Sequence, residues 1–158
     1  ASSRGTKLHL HCENYLNNNN VLVEELPVFQ RELFNSILPE LHKINNIHVQ
    51  EQRLYSHHLR MAGTVDCIAE HEGRLSVIDF KTSGKLKKKE WISSYFMQCA
   101  AYAVMYEERT GIPISKLVVL IAVEGENPQV FIEKRDNWVP DLLKARDSYE
   151  MDKNSLTS

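Results

Sequence analysis

Two short stretches carry residue types that can act together on a phosphate. Gly63-Thr64-Val65-Asp66 ends on an acid, and Val77-Ile78-Asp79-Phe80-Lys81-Thr82-Ser83 follows after a polar turn. Residues two apart on a strand share a face, so Asp79 and Lys81 point the same way while Ile78 and Phe80 point into a core. A hairpin lays the strand bearing Asp66 alongside, and two carboxylates and an ammonium then converge near its end. Carboxylates that close repel each other unless a cation lies between them. Their hard oxygens suit Mg2+ or Mn2+ better than zinc. An ion held there would polarise a phosphate and acidify a bound water. Lys81 would offer positive charge to the developing transition state or orient the water. The competing account is a surface ion pair between Asp79 and Lys81, and a pattern this short allows both.

The elements that must position these residues can be read from periodicity and punctuation. Arg4 to Asn17 reads as a helix ending at the asparagine run Asn17–Asn20, which favours turns. Glu24 to Ile44 reads as a second helical region, with Phe29, Leu33, Phe34, Ile37, Leu38 and Leu41 at helical spacing and Pro39 expected to kink or divide it. Strands are predicted over Ile47–Tyr55, Met61–Glu70 and Leu75–Lys81, the last two joined by a turn containing Gly73. A polar loop, Thr82–Lys89, leads to a helix over Ser94–Arg109 that Gly111 and Pro113 stop. The apolar run Leu117–Val123 predicts a strand covered on both faces, Gln129–Lys134 an edge strand, and Asp141–Asp152 a final helix. This order predicts an α/β fold: a mixed central β-sheet flanked by helices.

Composition bounds the function. The 158 residues suit one domain, 42% of them hydrophobic and 25% charged. No apolar run reaches the length of a membrane span. Ala1 to Thr6 lacks the apolar core of a signal peptide, and the chain reads as one domain, 1–158, from which a native N-terminal segment is missing, or as a mature form. A net charge of −2 gives no bulk attraction to nucleic acid, so any such binding rests on local residues. Cys12, Cys67 and Cys99 are an odd, widely spaced set that fits neither a disulfide framework nor a CxxC metal site and reads as buried free thiols in a reducing compartment.

Taken in order with their neighbours, these motifs resemble the RecB-like branch of the PD-(D/E)XK nucleases. The resemblance runs from Arg4-Gly5-Thr6-Lys7-Leu8-His9 through Gln98-Cys99-Ala100-Ala101-Tyr102 and is strongest over Ala62–Ser83. Within that branch the sequence is similar to the mitochondrial genome maintenance exonucleases and related phage exonucleases. The resemblance implies a restriction-endonuclease-like core and a Mg2+- or Mn2+-dependent exonuclease acting on DNA that is single-stranded or has free ends, with no membrane association. It implies an intracellular setting, and bacterial or phage-infected cytoplasm and the mitochondrial matrix fit equally. Asp66 matches the metal-binding acid of the second strand, Asp79 that of the third, and Lys81 the catalytic lysine. The backbone carbonyl of Phe80 matches a main-chain metal ligand, and His9 a histidine reaching the metal from the first helix. Gln98 and Tyr102 match a Gln-x-x-x-Tyr motif beside the DNA. Ile78 stands where proline precedes the acid in the family's namesake motif, a common departure. Branches with an iron–sulfur cluster use four cysteines, so three predict no cluster. A structure-specific endonuclease on the same scaffold and a catalytically silent nuclease-like module binding DNA or a partner protein are the rival readings.

The flanking candidates each have a plainer account. Gln98 and Tyr102, four apart beside Tyr95 and Tyr106, are either a DNA-facing group or a half-buried polar seam. Glu13 shares a helical face with His9 and would tie it down as a supporting residue, or serve only the surface. Glu51 is either a further acid of the site or an ion-pair partner of Arg53. Lys85, Lys87, Lys88 and Lys89, with Thr82 and Ser83 before them, are a solvated loop or a phosphate clamp at the mouth of the site. Trp91, Tyr95 and Phe96 are platforms for unpaired bases, with a place in the core the alternative for Trp91 and Phe96.

Overall fold

The alternating and continuous apolar stretches pair into one five-stranded sheet, order β1-β2-β3-β4-β5. The computed structural model describes residues 2–19, 21 and 23–157, with side chains for 7–19, 21 and 23–147. The strands are β1 (Ile44–Ser56), β2 (Met61–His71), β3 (Arg74–Ser83), β4 (Lys116–Val123) and β5 (Gln129–Lys134). The helices are α1 (Ser2–Leu16), α2 (Val28–Leu41), α3 (Ser93–Thr110) and α4 (Arg135–Thr157), with short 3₁₀ turns at Val23–Glu25 and Lys89–Trp91. Neighbouring strands are antiparallel except β3 and β4, which α3 joins in a parallel crossover. The sheet is therefore mixed, as the sequence predicts. The β2–β3 turn is tight because Glu72 and Gly73 both take positive φ, 50° and 81°, the geometry that matches strand twist. Gly111 ends α3 in the left-handed conformation, φ 78°, its N–H bonded to the Glu107 carbonyl.

Both faces of the sheet are covered. α1 and α2 pack Leu8, Cys12, Leu33, Phe34 and Ile37 against Cys67, Ile78, Phe80, Val118 and Leu120. α3 packs Phe96, Ala100, Ala103 and Met105 against Val65, Val77, Val119 and Ile121 on the other side, with Leu142 of α4 joining. The competing account of a surface ion pair between Asp79 and Lys81 places Asp79 at the surface, and the fold does not. Asp79 shares its face with the buried Val77 and is itself only 5% exposed beneath α3. The three cysteines are free and buried.

Other boundaries also shift. The predicted helix over 24–44 is broken before Pro27, because proline disfavours helical backbone in the residue preceding it, and Ile44 already belongs to β1. Pro39 does not divide α2; it lies in the last turn, two residues before the helix ends at Leu41. α4 starts at Arg135, six residues before the predicted start and ahead of Pro140. Trp138 secures that first turn, its ring 5.0 Å from Phe96 and its Nε1–H donating to Glu133 at 3.1 Å. Among the described residues, no helix is long and apolar enough to cross a membrane.

Candidate active site

The site forms where β2 and β3 part. Their ladder runs from His71–Arg74 to Cys67–Ile78, and the rest of β3 pairs with β4 alone. Phe80 therefore has main-chain groups with no strand partner on the β2 side. Side chains take both: the Phe80 N–H donates to Asp66 Oδ2 at 2.8 Å, and its carbonyl accepts a short bond from His9 Nε2 of α1. The acceptor is a carbonyl, so His9 carries its proton on Nε2. His9 Nδ1 then faces Asp66 Oδ1 at 3.6 Å.

The pleat of β1 and β2 is disturbed at the same level. Val65 and Ile68 join one core layer although they lie three apart on β2. Opposite, between the pairs Gln50–Cys67 and Gln52–Val65, Glu51 adopts φ 46°. Left-handed backbone in a non-glycine strand residue costs energy and persists where surrounding structure enforces it. Glu51 is thereby brought to the acids: one ligand atom each from His9, Glu51 and Asp66 lie within 4.8 Å of one another.

Electrostatics mark this as a strained cluster. Burial, then the charge of Asp79 and a hydrogen bond shared with it, push Asp66 up to about 9, while the Phe80 amide pulls the other way. Two buried carboxylates side by side hold a proton between them unless a cation replaces it. Asp79 Oδ2 is buried without a hydrogen bond of good geometry, and Lys81 Nζ, 3.3 Å away, balances its charge. Burial disfavours the Lys81 ammonium, but Asp79 outweighs that and holds its pKa above the usual lysine value. Glu51 is raised by loss of hydration first, with His9 opposing and the Glu13 and Asp79 charges adding. These oxygens, one of them orphaned, and the imidazole fit a hard divalent ion.

The helix above supplies a polar lid. Lys81 Nζ sits 4.7 Å from the centre of the Tyr95 ring. Gln98 Nε2 donates to Tyr102 Oη at 3.2 Å, and burial followed by the Asp79 and Asp66 charges lifts the Tyr102 hydroxyl to about 12. Tyr102 rests directly on Gly63: a Cβ there would lie 2.8 Å from Oη and 3.0 Å from Cε1. The Gly63-Thr64-Val65-Asp66 stretch does not by itself foretell this contact; a glycine three residues before the acid is its signal in the sequence.

Asp66, Asp79, Lys81, His9, Glu51, Tyr95, Gln98 and Tyr102 are thus gathered in one place. Glu13 contributes its charge to Glu51 rather than a bond to His9. His9 and the Phe80 carbonyl, both expected to face a metal, face each other here. Thr82 and Ser83 continue β3 beside β4, and Ser83 Oγ bonds the Lys85 carbonyl. The lysine run is divided. Lys85 and Lys88 reach over Trp91, the Lys87 main chain is fastened to Gln129, and Lys89 pairs with Glu133 at 3.0 Å.

A mixed sheet with two acids and a lysine at the parting of its second and third strands defines a nuclease class, and residues 7–151 match the PD-(D/E)XK nuclease superfamily; the chain belongs to it. It is 28% identical to mitochondrial genome maintenance exonuclease 1 of Xenopus tropicalis over 80% of this chain and 37% of that protein. The protein of that name from Homo sapiens is 25% identical over 96% of this chain and 46% of its own length. The chain thus spans less than half the length of these relatives. Among solved structures, one from Eubacterium rectale, provisionally titled an exonuclease, superposes with a TM-score of 0.62 at 11% identity, covering 92% of this chain and 64% of that one. That likeness speaks to the fold.

Proposed function

We propose that this domain is a Mg2+- or Mn2+-dependent deoxyribonuclease acting as an exonuclease on single-stranded or end-frayed DNA. The observation that carries the reading is the convergence of Asp66, Asp79 and Lys81 on the unpaired side of β3, where Asp66 also lies within 4.8 Å of ligand atoms of His9 and Glu51. Membership of a nuclease superfamily and similarity to proteins named exonucleases support it.

Asp66 and Asp79 would hold the ion, with Glu51 and His9 supporting it. When bound, a divalent ion there polarises a phosphate and lowers the pKa of a water. The chain's own groups do the rest. The Phe80 amide fixes the Asp66 carboxylate, so the donor set is oriented before substrate arrives. Lys81, kept charged by Asp79 and steadied by the Tyr95 ring, faces the charge that builds on the phosphate. Gln98 and Tyr102 line the approach and position the strand. Among the described residues Lys85 and Lys88 have no carboxylate partner; on the loop after β3 they would meet backbone phosphates, making binding weaken with salt.

The test uses linear and covalently closed single-stranded DNA of one sequence, incubated with Mg2+ or with chelator and followed on a denaturing gel. Loss of the linear strand alone, and only with metal, is expected. Rapid cutting of the circle replaces the exonuclease with an endonuclease, and no cutting of either DNA overturns the enzymatic reading.

A further inference from the structure

The loop after β3 presents Trp91 outward, 55% exposed. The other tryptophan, Trp138, is packed on Phe96 and hydrogen-bonded to Glu133. Trp91 has neither kind of anchor in the core. Two ammonium groups flank it instead, Lys85 Nζ at 5.5 Å and Lys88 Nζ at 5.2 Å from the ring.

The loop that carries it is held firmly. The Gln129 amide grips the Lys87 main chain at both ends, accepting from its N–H at 2.8 Å and donating to its carbonyl at 3.0 Å. Lys89 is tied to Glu133, and the Trp91 N–H bonds the Lys88 carbonyl. These bonds fix the ring on a braced turn, at the entrance to α3 and one helical turn before Tyr95, whose ring carries the Lys81 ammonium.

We propose that Trp91 is a stacking platform for one unpaired base of a nucleic-acid strand whose phosphates are met by Lys85 and Lys88. The proposal rests on the nuclease reading for its ligand class and extends it to a particular contact. A surface lysine resting on tryptophan is worth a factor of roughly two to five. A base stacked on an aromatic ring is worth a factor of roughly five to one hundred. A base that takes one face of the ring replaces a weaker contact, and the ammonium groups are already beside the flanking phosphates. A base inside a duplex is stacked on both sides and offers no free face, so the platform discriminates for unpaired strands.

The experiment measures binding of a short oligothymidylate, and of the same oligomer carrying abasic sites, in chelator so that nothing is cleaved. The wild-type protein should lose tryptophan fluorescence on binding the base-bearing oligomer, and Trp91→Phe should abolish that quench while keeping most of the affinity. Trp91→Ala should weaken the base-bearing oligomer by roughly 5- to 100-fold and the abasic one by less than about twofold. An unchanged melting temperature for both variants separates stacking from folding. Equal loss on both oligomers, no loss on either, or a quench that survives Trp91→Phe overturns the proposal, as does failure of the wild type to bind at all. Normal cleavage by a Trp91→Ala protein with unaltered affinity sinks the platform but leaves the nuclease standing. Selective binding by a protein that cleaves nothing does the reverse.

Discussion

Metal binding should expel a proton, and the pH dependence of Mn2+ affinity is where the acid cluster can be tested most sharply. Asp66 sits at about 9, raised by burial and by Asp79 beside it. At pH 6 to 8 the metal-free protein therefore keeps a proton on the pair, and an ion that binds both oxygens must displace it. One proton released per ion means that affinity rises about tenfold for each pH unit, or on the order of a hundredfold from pH 6 to pH 8. The stability of the metal-free fold runs the other way. An acid whose folded pKa is raised contributes stability that is fully present below its unfolded pKa, near 3.8, and is lost as pH rises through about 9. The melting temperature without metal should thus fall between pH 6 and pH 9, and saturating Mn2+ should remove much of that fall. Calorimetric titration in two buffers of different ionisation enthalpy counts the protons directly. Asp79→Asn removes the second cause that raises Asp66 and leaves burial, so it should move the pH profile toward lower pH even where the ion still binds. A wild-type affinity independent of pH, with no proton released, would refute the shared-proton account of Asp66 and Asp79.

Asp66→Asn and Asp79→Asn should each lower cleavage about a thousandfold or more while the protein stays folded, checked by single-turnover rates beside circular dichroism. Lys81→Ala should keep Mn2+ binding, slightly tightened by loss of a nearby positive charge, yet lose most catalysis; loss of the metal in a folded variant would contradict the role. Gly63→Ala should cost about 1–3 kcal/mol because its methyl group would lie 2.8 Å from the buried Tyr102 hydroxyl. The melting temperature reads that cost, and the double variant with Tyr102→Phe should recover part of it; additivity of the two changes would show that the contact is not the cause. His71 is buried with both ring nitrogens unpartnered, and burial followed by Lys116 holds its pKa below the ordinary value. Its contribution to stability is present above pH 6.5 and fades as pH falls through that value, so His71→Phe should weaken the loss of melting temperature between pH 7 and pH 5.

Local rules in the sequence by themselves determined the strand and helix order, the mixed sheet, and the pairing of Asp79 with Lys81, because alternation in a strand and periodicity in a helix do not depend on distant partners. The tight turn at Gly73 and the stop at Gly111 were legible for the same reason. Helix limits were less so: packing of Trp138 on Phe96 carries α4 through Pro140, which local propensity reads as a boundary. The site was legible as a set of residues and not as an arrangement. Only the tertiary structure decided that Asp79 lies buried under α3, since covering a strand's second face depends on a helix that arrives later in the chain. The parting of β2 from β3 turned Phe80 into the hub that His9 and Asp66 share, although 71 residues separate His9 from Phe80. Positive φ in a glutamate brought Glu51 among the acids, and contact with Tyr102 fixed the need for Gly63. The lysine run was one feature by composition and became three by structure, because whether a lysine meets a ring, a carboxylate or solvent is settled by what folds beside it.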